Sequence, residues 1–233
     1  MPVIKLNLTN SLLQDIEVAL NDYNPESQWY VDIVTSEVLF IPGNFFGDEE
    51  SENDIVNDLS GRYIPVSARS SDQGWRQMER FILLLDETDE NRDRLLDAII
   101  GRNAFSRFKD KLFRMGILEQ WYEFKGREDR KEALEWLLEN ELIEEKDIAC
   151  GLELYEDWLN AKRKRDADIL KMKTGAMVKC IYNAGHEGNI APGRIYKILG
   201  EKEEHLLIRI KDNNGNEKWY PKSHFELLPL KKV

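Results

Sequence analysis

Cysteine is nearly absent from this chain: Cys150 and Cys180 are the only two, and they lie far apart. Two distant thiols cannot build a disulfide framework, which points to a reducing compartment, the cytoplasm. Histidine is as scarce, with His186, His205 and His224 alone. None has a second histidine at metal-ligand spacing, so no structural zinc site is expected. A pair of His186 or His205 with Cys180 stays open. No run approaches ~18 consecutive apolar residues, which argues against a membrane span. The opening MPVIKLNLTNSLLQ lacks the charged-then-apolar pattern of a signal peptide. The glycines do not cluster into a phosphate-cradling loop, and no GxSxG turn occurs. No catalytic residue, cofactor or metal is assigned on this evidence. A carboxylate pair can still hide among the many acids, because only geometry reveals one.

What the chain does have is aromatic mass. Six Trp, nine Phe and eight Tyr in 233 residues, with 42% hydrophobic content, exclude disorder and allow a substantial core. One large domain or two small ones fit this length. Net charge is −11 but uneven. Residues 172–233 hold 11 Lys+Arg against 7 Asp+Glu, net +4, and the remainder holds 22 against 37, net −15. The acidic part should repel nucleic acid unless a local patch overrides its field, whereas the C-terminal part tolerates a polyanion.

Residues 11–20 read as a short helix with Leu12, Leu13, Ile16 and Leu20 on one side and a capping box of Ser11 and Gln14. QWYVDIV and EVLFI flank Thr35-Ser36 and predict a hairpin over 28–41, though its turn lacks the favoured glycine. The acids Asp48, Glu49, Glu50, Glu52 and Asp54 do not match EF-hand spacing and are expected to be a solvated loop. RYIPV is a third strand, with Pro65 near its end or on an edge. Helices follow over 72–85 and 90–100, with Trp75, Met78, Phe81, Ile82 and Leu85 at core spacing.

The densest aromatic block is 101–136. Phe105, Phe108, Leu112 and Met115 stack on one helical face, with Asn103 as expected N-cap and Gly116 as C′. A second helix starts near Ile117, carrying Leu118, Trp121, Tyr122 and Lys125, and Gly126 weakens it. Glu128 and Asp129 suit the first turn of a third helix, with Leu134, Leu137 and Leu138 buried. The face opposite Phe108 carries Arg107, Lys111 and Arg114 in line. This is either a phosphate-binding stripe or, as is usual, the solvated half of an amphipathic helix, partly paired from Asp110 to Arg114.

The run GRNAFSRFKDKL, then LEQWYEFKGREDRKEALEWLLEN, with YIPVSARSSDQGWRQMERFI upstream, resembles the bacterial uncharacterised protein family 0158. The matching positions are Gly101, Arg102, Ala104, Phe105, Arg107, Phe108, Lys109, Asp110, Trp121, Tyr122, Trp136 and Leu137, and coverage is about 12–140. The resemblance implies a fold unit and a bacterial origin, and it carries no function. Within the motif, Arg102, Arg107 and Lys109 are the first binding candidates, and Phe105, Phe108 and Trp121 are expected to be structural.

Beyond it, Ile148, Leu152, Tyr155 and Leu159 mark a connecting helix over 144–173. Its basic run Lys162-Arg163-Lys164-Arg165 points all around the helix and reads as cations near a C-terminus more readily than as a targeting patch. After Thr174-Gly175 the period turns to β: AMVKCIY, GRIYKIL, HLLIRIKD and NEKWYPKSHFELL, with a hairpin turn on Asn214-Gly215. VKCIYN, APGRIYKIL and WYPKSHFELL resemble SH3-like modules of bacterial and phage proteins over 176–228. Tyr182, Tyr196, Trp219, Tyr220 and Phe225, with Lys222 and His224 beside them, are the pool for a ligand face. Alternation puts Trp219 and Tyr220 on opposite sides, and a domain of ~55 residues needs most of its aromatics inside.

These readings define an α+β protein. Residues 1–140 form a small antiparallel sheet with a helical bundle, 141–174 a helical linker, and 175–233 an all-β SH3-like barrel. The expected role is a cytoplasmic, non-enzymatic binding or regulatory protein that takes a protein or peptide partner through the barrel. Its candidate binding residues are Arg102, Arg107, Lys109, Lys111, Arg114, Tyr182, Trp219 and Lys222. Nucleic-acid binding through the basic C-terminal part is one alternative. An enzyme with an unrecognised carboxylate-rich site is the other.

Overall fold

A threonine opens the first helix. In the computed structural model, which describes residues 5–42, 55, 58, 60–86 and 90–229, Thr9 is extended (φ −123°, ψ 155°). Its Oγ1 accepts from Leu12 N at 3.2 Å, so helix α1 (Asn10–Leu20) starts one residue before the expected Ser11 box. An N-cap needs an extended residue whose hydroxyl reaches back to the first turn, and Thr9 meets that condition. Leu12, Leu13, Ile16 and Leu20 are buried as expected.

Strands β1 (Gln28–Asp32) and β2 (Glu37–Ile41) pair antiparallel with Asp32 opposite Glu37. The missing turn glycine is replaced by two devices. Ser36 itself adopts φ 59°, and Asp32 Oδ1 accepts from Val34 N at 2.9 Å. Strand β3 (Tyr63–Val66) joins the other side of β1, giving the order β2-β1-β3 with Pro65 on an edge strand, where its missing N–H does no harm. Val31, on β1, is buried with α1 and with Ala133, Leu134 and Leu137 in one cluster.

Helix α2 (Ser71–Leu83) has a full capping box between Ser70 and Gln73. Helices α3 (Glu90–Ala98), α4 (Ala104–Met115) and α5 (Leu118–Glu139) follow. A second cluster joins Met78, Phe81, Ile82, Leu95, Phe108, Leu112 and Trp121. Phe108 and Trp121 meet edge to face at 4.9 Å, and Phe81 meets Trp121 at 5.4 Å. Two expectations change here. Asn103 is left-handed (φ 58°) and makes no side-chain cap bond. Phe105 is 43% exposed, yet its ring lies where a Cβ on Gly74 would meet it at 2.9 Å. Gly116 does end α4 in the left-handed region, at φ 71°.

A third expectation also changes: α5 is one helix of 22 residues, unbroken at Gly126. The glycine is there for space. A Cβ at Gly126 would stand 2.1 Å from Tyr155 Oη, and one at Gly151 2.4 Å from Leu134 Cδ2. Both contacts bring α5 against α6 (Glu145–Leu170) closer than alanine allows. The chain divides into two compact units inside α6, Met1–Glu156 and Asp157–Val233.

In the second unit, β4 (Met177–Cys180), β5 (Ile195–Lys197) and β9 (Phe225–Leu227) form one sheet, ordered β5-β4-β9. Strands β6 (Gly200–Lys202), β7 (Leu207–Lys211) and β8 (Glu217–Pro221) form another, ordered β6-β7-β8. Both are antiparallel and share one core of Met172, Val178, Cys180, Ile190, Tyr196, Ile198, Ile208, Ile210, Tyr220 and Phe225. In place of the expected barrel, the ladders among the described residues form two small sheets and no closed barrel. The β7–β8 hairpin turns at Asn214-Gly215, with Gly215 at φ 82° and Asp212 Oδ1 accepting from Asn214 N and Asn216 N, both at 2.9 Å. Among the described residues the fold is thus six α-helices, mostly early in the chain, and three small antiparallel sheets, an α+β protein. No helix among them is long and apolar enough to cross a membrane. The acidic run with Asp48, Glu49, Glu50, Glu52 and Asp54 lies outside the described residues.

Candidate functional site

The basic stripe on α4 has a structural use. Arg107 donates from Nε to Ala98 O at 3.2 Å and from Nη2 to Ile100 O, and Lys111 Nζ donates to Arg94 O. Ala98 O and Ile100 O lie at and just past the C-terminal end of α3, where backbone acceptors lack intrahelical donors and cations meet a negative dipole, and Arg94 O lies one turn earlier. Arg102, Lys109 and Arg114 are exposed and engage no partner among the described residues.

The larger polar assembly was not legible as such. Glu128, Asp129 and Arg130 are buried in the middle of α5, together with Arg69 and Gln77. Asp129 Oδ1 accepts from Arg69 Nη2 at 2.8 Å and from Gln77 Nε2 at 3.1 Å. Its Oδ2 accepts from Lys125 Nζ and from Asn21 Nδ2 at 3.3 Å. Arg69 Nη1 also reaches Glu132 Oε2 at 2.7 Å. Behind it, Arg130 is fully buried and bonds Glu17, Asn10 Oδ1 at 2.9 Å and Gly151 O at 3.3 Å. Burial pushes the carboxyls of Glu17 and Glu132 above the usual range, opposed by Arg130 and Arg69. Removing one partner from such a network leaves a buried charge, at about 3–5 kcal/mol. The available signal was spacing: Lys125, Asp129 and Glu132 fall at i, i+4 and i+7, one helical face.

That face borders a groove. Glu128, Glu132, Glu135 and Glu139 follow at i, i+4, i+7 and i+11. One part of the groove, about 400 Å³, runs along α2 beside Gln73, Arg76, Glu79 and Arg80. A second part, about 210 Å³, is bounded by Arg69, Gln73, Glu132, Glu135, Trp136 and Glu139. Glu128 is held by Arg80 at 2.6 Å and Lys131 at 2.8 Å. Among the described residues no group of three or more His, Cys, Asp or Glu is placed to hold a metal.

In the second unit the aromatic pool divides. Tyr196, Tyr220 and Phe225 are core. Tyr182 is exposed and meets the His224 ring edge to face at 5.2 Å. Lys222, expected beside a ligand, points inward: it is 0% exposed, with Nζ 3.5 Å from Glu201 Oε2. Trp219 is 36% exposed, on the opposite side of β8 from Tyr220. Register sets Gly200, Arg209 and Trp219 in one row across the three strands. The Arg209 guanidinium carbon lies 5.7 Å from the Trp219 ring centroid and Lys202 Nζ 4.7 Å. Both are within cation–π range. The sequence missed Lys202 and Arg209, which adjoin Trp219 only through strand pairing.

Residues 6–159 match the model of the Uncharacterised protein family (UPF0158). The chain belongs to that family. Neither the curated proteins nor the solved structures give a match. The UPF0158 match spans the buried network and the carboxylate groove, while the Trp219 face lies beyond it.

Proposed function

We propose that this UPF0158 chain is a non-enzymatic binding protein of the cytoplasm that engages a partner protein or peptide through its second unit, an SH3-like module. The observation that carries this reading is Trp219, an exposed ring flanked by Lys202 and Arg209 on the outer face of β6-β7-β8. Tryptophan and arginine are the residues that most often dominate protein interfaces. The second unit has 16 Lys+Arg against 10 Asp+Glu, net +6, so the partner it favours is an acidic one. Tyr182 is a separate exposed aromatic, beside His224 and not in the Trp219 row. Lys222 is not part of that row either, being inside.

A protein partner is preferred over a nucleic acid on geometry and charge. Bases bind by stacking on open aromatic faces, and Lys202 already lies over the Trp219 ring. The first unit, at 17 basic against 34 acidic residues, net −17, repels the dense, continuous charge of a nucleic acid more than the smaller charge of an acidic protein patch. Affinity capture with the full chain and its Trp219→Ala variant tests the reading. A protein retained stoichiometrically by the parent chain and lost with the variant supports it, and identical captures refute it. Tight binding of a 20-nucleotide single strand at ~50 mM salt, falling steeply as salt rises, would replace it with the nucleic-acid reading.

A further inference from the structure

The second unit has a strand edge that no described residue pairs with. Sheet β5-β4-β9 ends on β9, which is bonded to β4 alone. Leu228 N donates to Met177 O at 3.0 Å and Ile181 N to His224 O at 2.9 Å. Antiparallel bonds recur at every second residue. Glu226 therefore faces β4, while Phe225 and Leu227 turn their backbone groups outward. Phe225 N donates to Lys222 O. The Phe225 carbonyl and both backbone groups of Leu227 have no partner among the described residues. A groove runs along this edge as two adjoining hollows of about 380 and 800 Å³, both lined by Leu227 and by Lys164 and Asp168 of α6. Ile169 and Met172 give it an apolar lining. At its rim Lys171 pairs with Asp168 at 3.2 Å and Lys179 with Glu226 at 2.9 Å. Arg165 donates to a neutral acceptor, Ser223 O, at 2.8 Å. Lys164 is exposed. The acids of the groove are thus matched, and these two cations are in excess.

We propose that an extended segment of a partner protein, carrying apolar and acidic side chains, adds to β9 as a further strand of this sheet, between β9 and α6. An open strand edge is a template for pairing with another chain. In strand addition the main chain supplies affinity and side-chain pockets supply specificity. Leu227 donates to and accepts from the segment's backbone, and Phe225 O accepts a further bond. Apolar side chains of the segment lie on Ile169 and Met172, and its carboxylates meet Lys164 and Arg165. Charge selects the occupant. The second unit is net +6, so a second copy at this edge brings like charges together, whereas an acidic segment is attracted. The edge belongs to a different sheet from Trp219, and either face can fail alone.

The test titrates the isotope-labelled full chain with a capped Gly-Glu-Ile-Glu-Val-Glu-Gly peptide, with Gly-Lys-Ile-Lys-Val-Lys-Gly as comparison. The acidic peptide should move the Leu227 amide resonance and slow its hydrogen exchange, and the basic one should do neither. Leu227→Pro removes that N–H and no bond to β4, so it should abolish binding, whereas Leu227→Ala, which keeps the N–H, should only weaken it. Lys164→Gln should weaken binding about two- to five-fold, the range of an exposed ion pair. Lys197→Gln, exposed on β5, should leave it unchanged. An unmoved Leu227 amide, Leu227→Pro binding as tightly as Leu227→Ala, equal loss with Lys197→Gln, or no binding at ~50 mM salt would overturn the proposal. A Leu227 amide already protected in the free chain would give the edge to a second copy or to the chain's own last residues. A 20-nucleotide single strand that displaces the peptide would give it to nucleic acid. Either result also overturns the proposal.

Discussion

Replacing Gly126 by alanine should destabilise the first unit, against the usual direction. Mid-helix Gly→Ala normally gains about 1 kcal/mol, because alanine loses less backbone freedom on folding. Here the new Cβ would stand 2.1 Å from Tyr155 Oη and 3.0 Å from Cζ. The ring cannot step aside freely. It is 5% exposed, and the Arg130 guanidinium lies 5.3 Å above it. Arg130 is itself held by Glu17, Asn10 and Gly151. Overpacking of this kind costs up to about 3 kcal/mol, so the net loss should be about 2 kcal/mol once the helix gain of about 1 kcal/mol is subtracted. Tyr155→Phe removes the nearest atom and leaves a contact that yields by a few tenths of an ångström. In that background Gly126→Ala should be neutral or stabilising, a coupling of about 2 kcal/mol. Urea unfolding of the four chains, followed by far-UV circular dichroism, measures the cycle. A gain of about 1 kcal/mol from Gly126→Ala in the parent chain, or additive effects, would refute the close approach of α5 and α6.

The remaining predictions concern the cores and two titrating groups. Phe108→Ala should cost about 3–5 kcal/mol in urea unfolding, since the ring is buried against Trp121 and Phe81. Asp32, bonded first of all to Arg62, has its carboxyl held down to about 2, from an ordinary 3.8. Its contribution is therefore complete above the unfolded value and is lost as pH falls through the folded one. Arg62 is 41% exposed, which reduces the Asp32→Asn loss at neutral pH to about 1 kcal/mol. At pH 2 the loss should be smaller. Burial, then the neighbouring His186, pushes His224 below its ordinary 6.5, so the unfolded chain takes the proton first. Stability of the second unit should fall as pH drops below about 6.5. His224→Phe should flatten that slope in thermal melts between pH 7 and 5.

Helical and strand periods made most elements legible, because burial imposes them directly on the sequence. The hairpin over 28–41, the helices around Met78 and Phe108 and the Asn214-Gly215 turn all follow from local spacing. The misreadings share a cause. Gly126 reads as a helix weakness, but its reason is Tyr155, 29 positions away. Glu128 and Asp129 read as helix-start acids, but two of the cations that hold them, Arg80 and Arg69, lie about 50 to 60 positions away. The cations next to Trp219 are Lys202 and Arg209, brought there by strand pairing, while Lys222, nearer in sequence, turns inward. Arg107 and Lys111 were visible as a stripe, but the α3 carbonyls that hold them were not. Long-range pairing leaves little trace in one sequence, and candidate sites are built from it.

The binding reading is tested most directly by crosslinking at the Trp219 face in the cells that make the chain. A photoreactive benzoylphenylalanine at position 219 should capture one protein, and the same group at exposed Val34 in the first unit should not. The yield at 219 should drop when Lys202 and Arg209 are both changed to alanine. Capture of nucleic acid at 219, or the same products from both positions, would contradict a protein-docking face there.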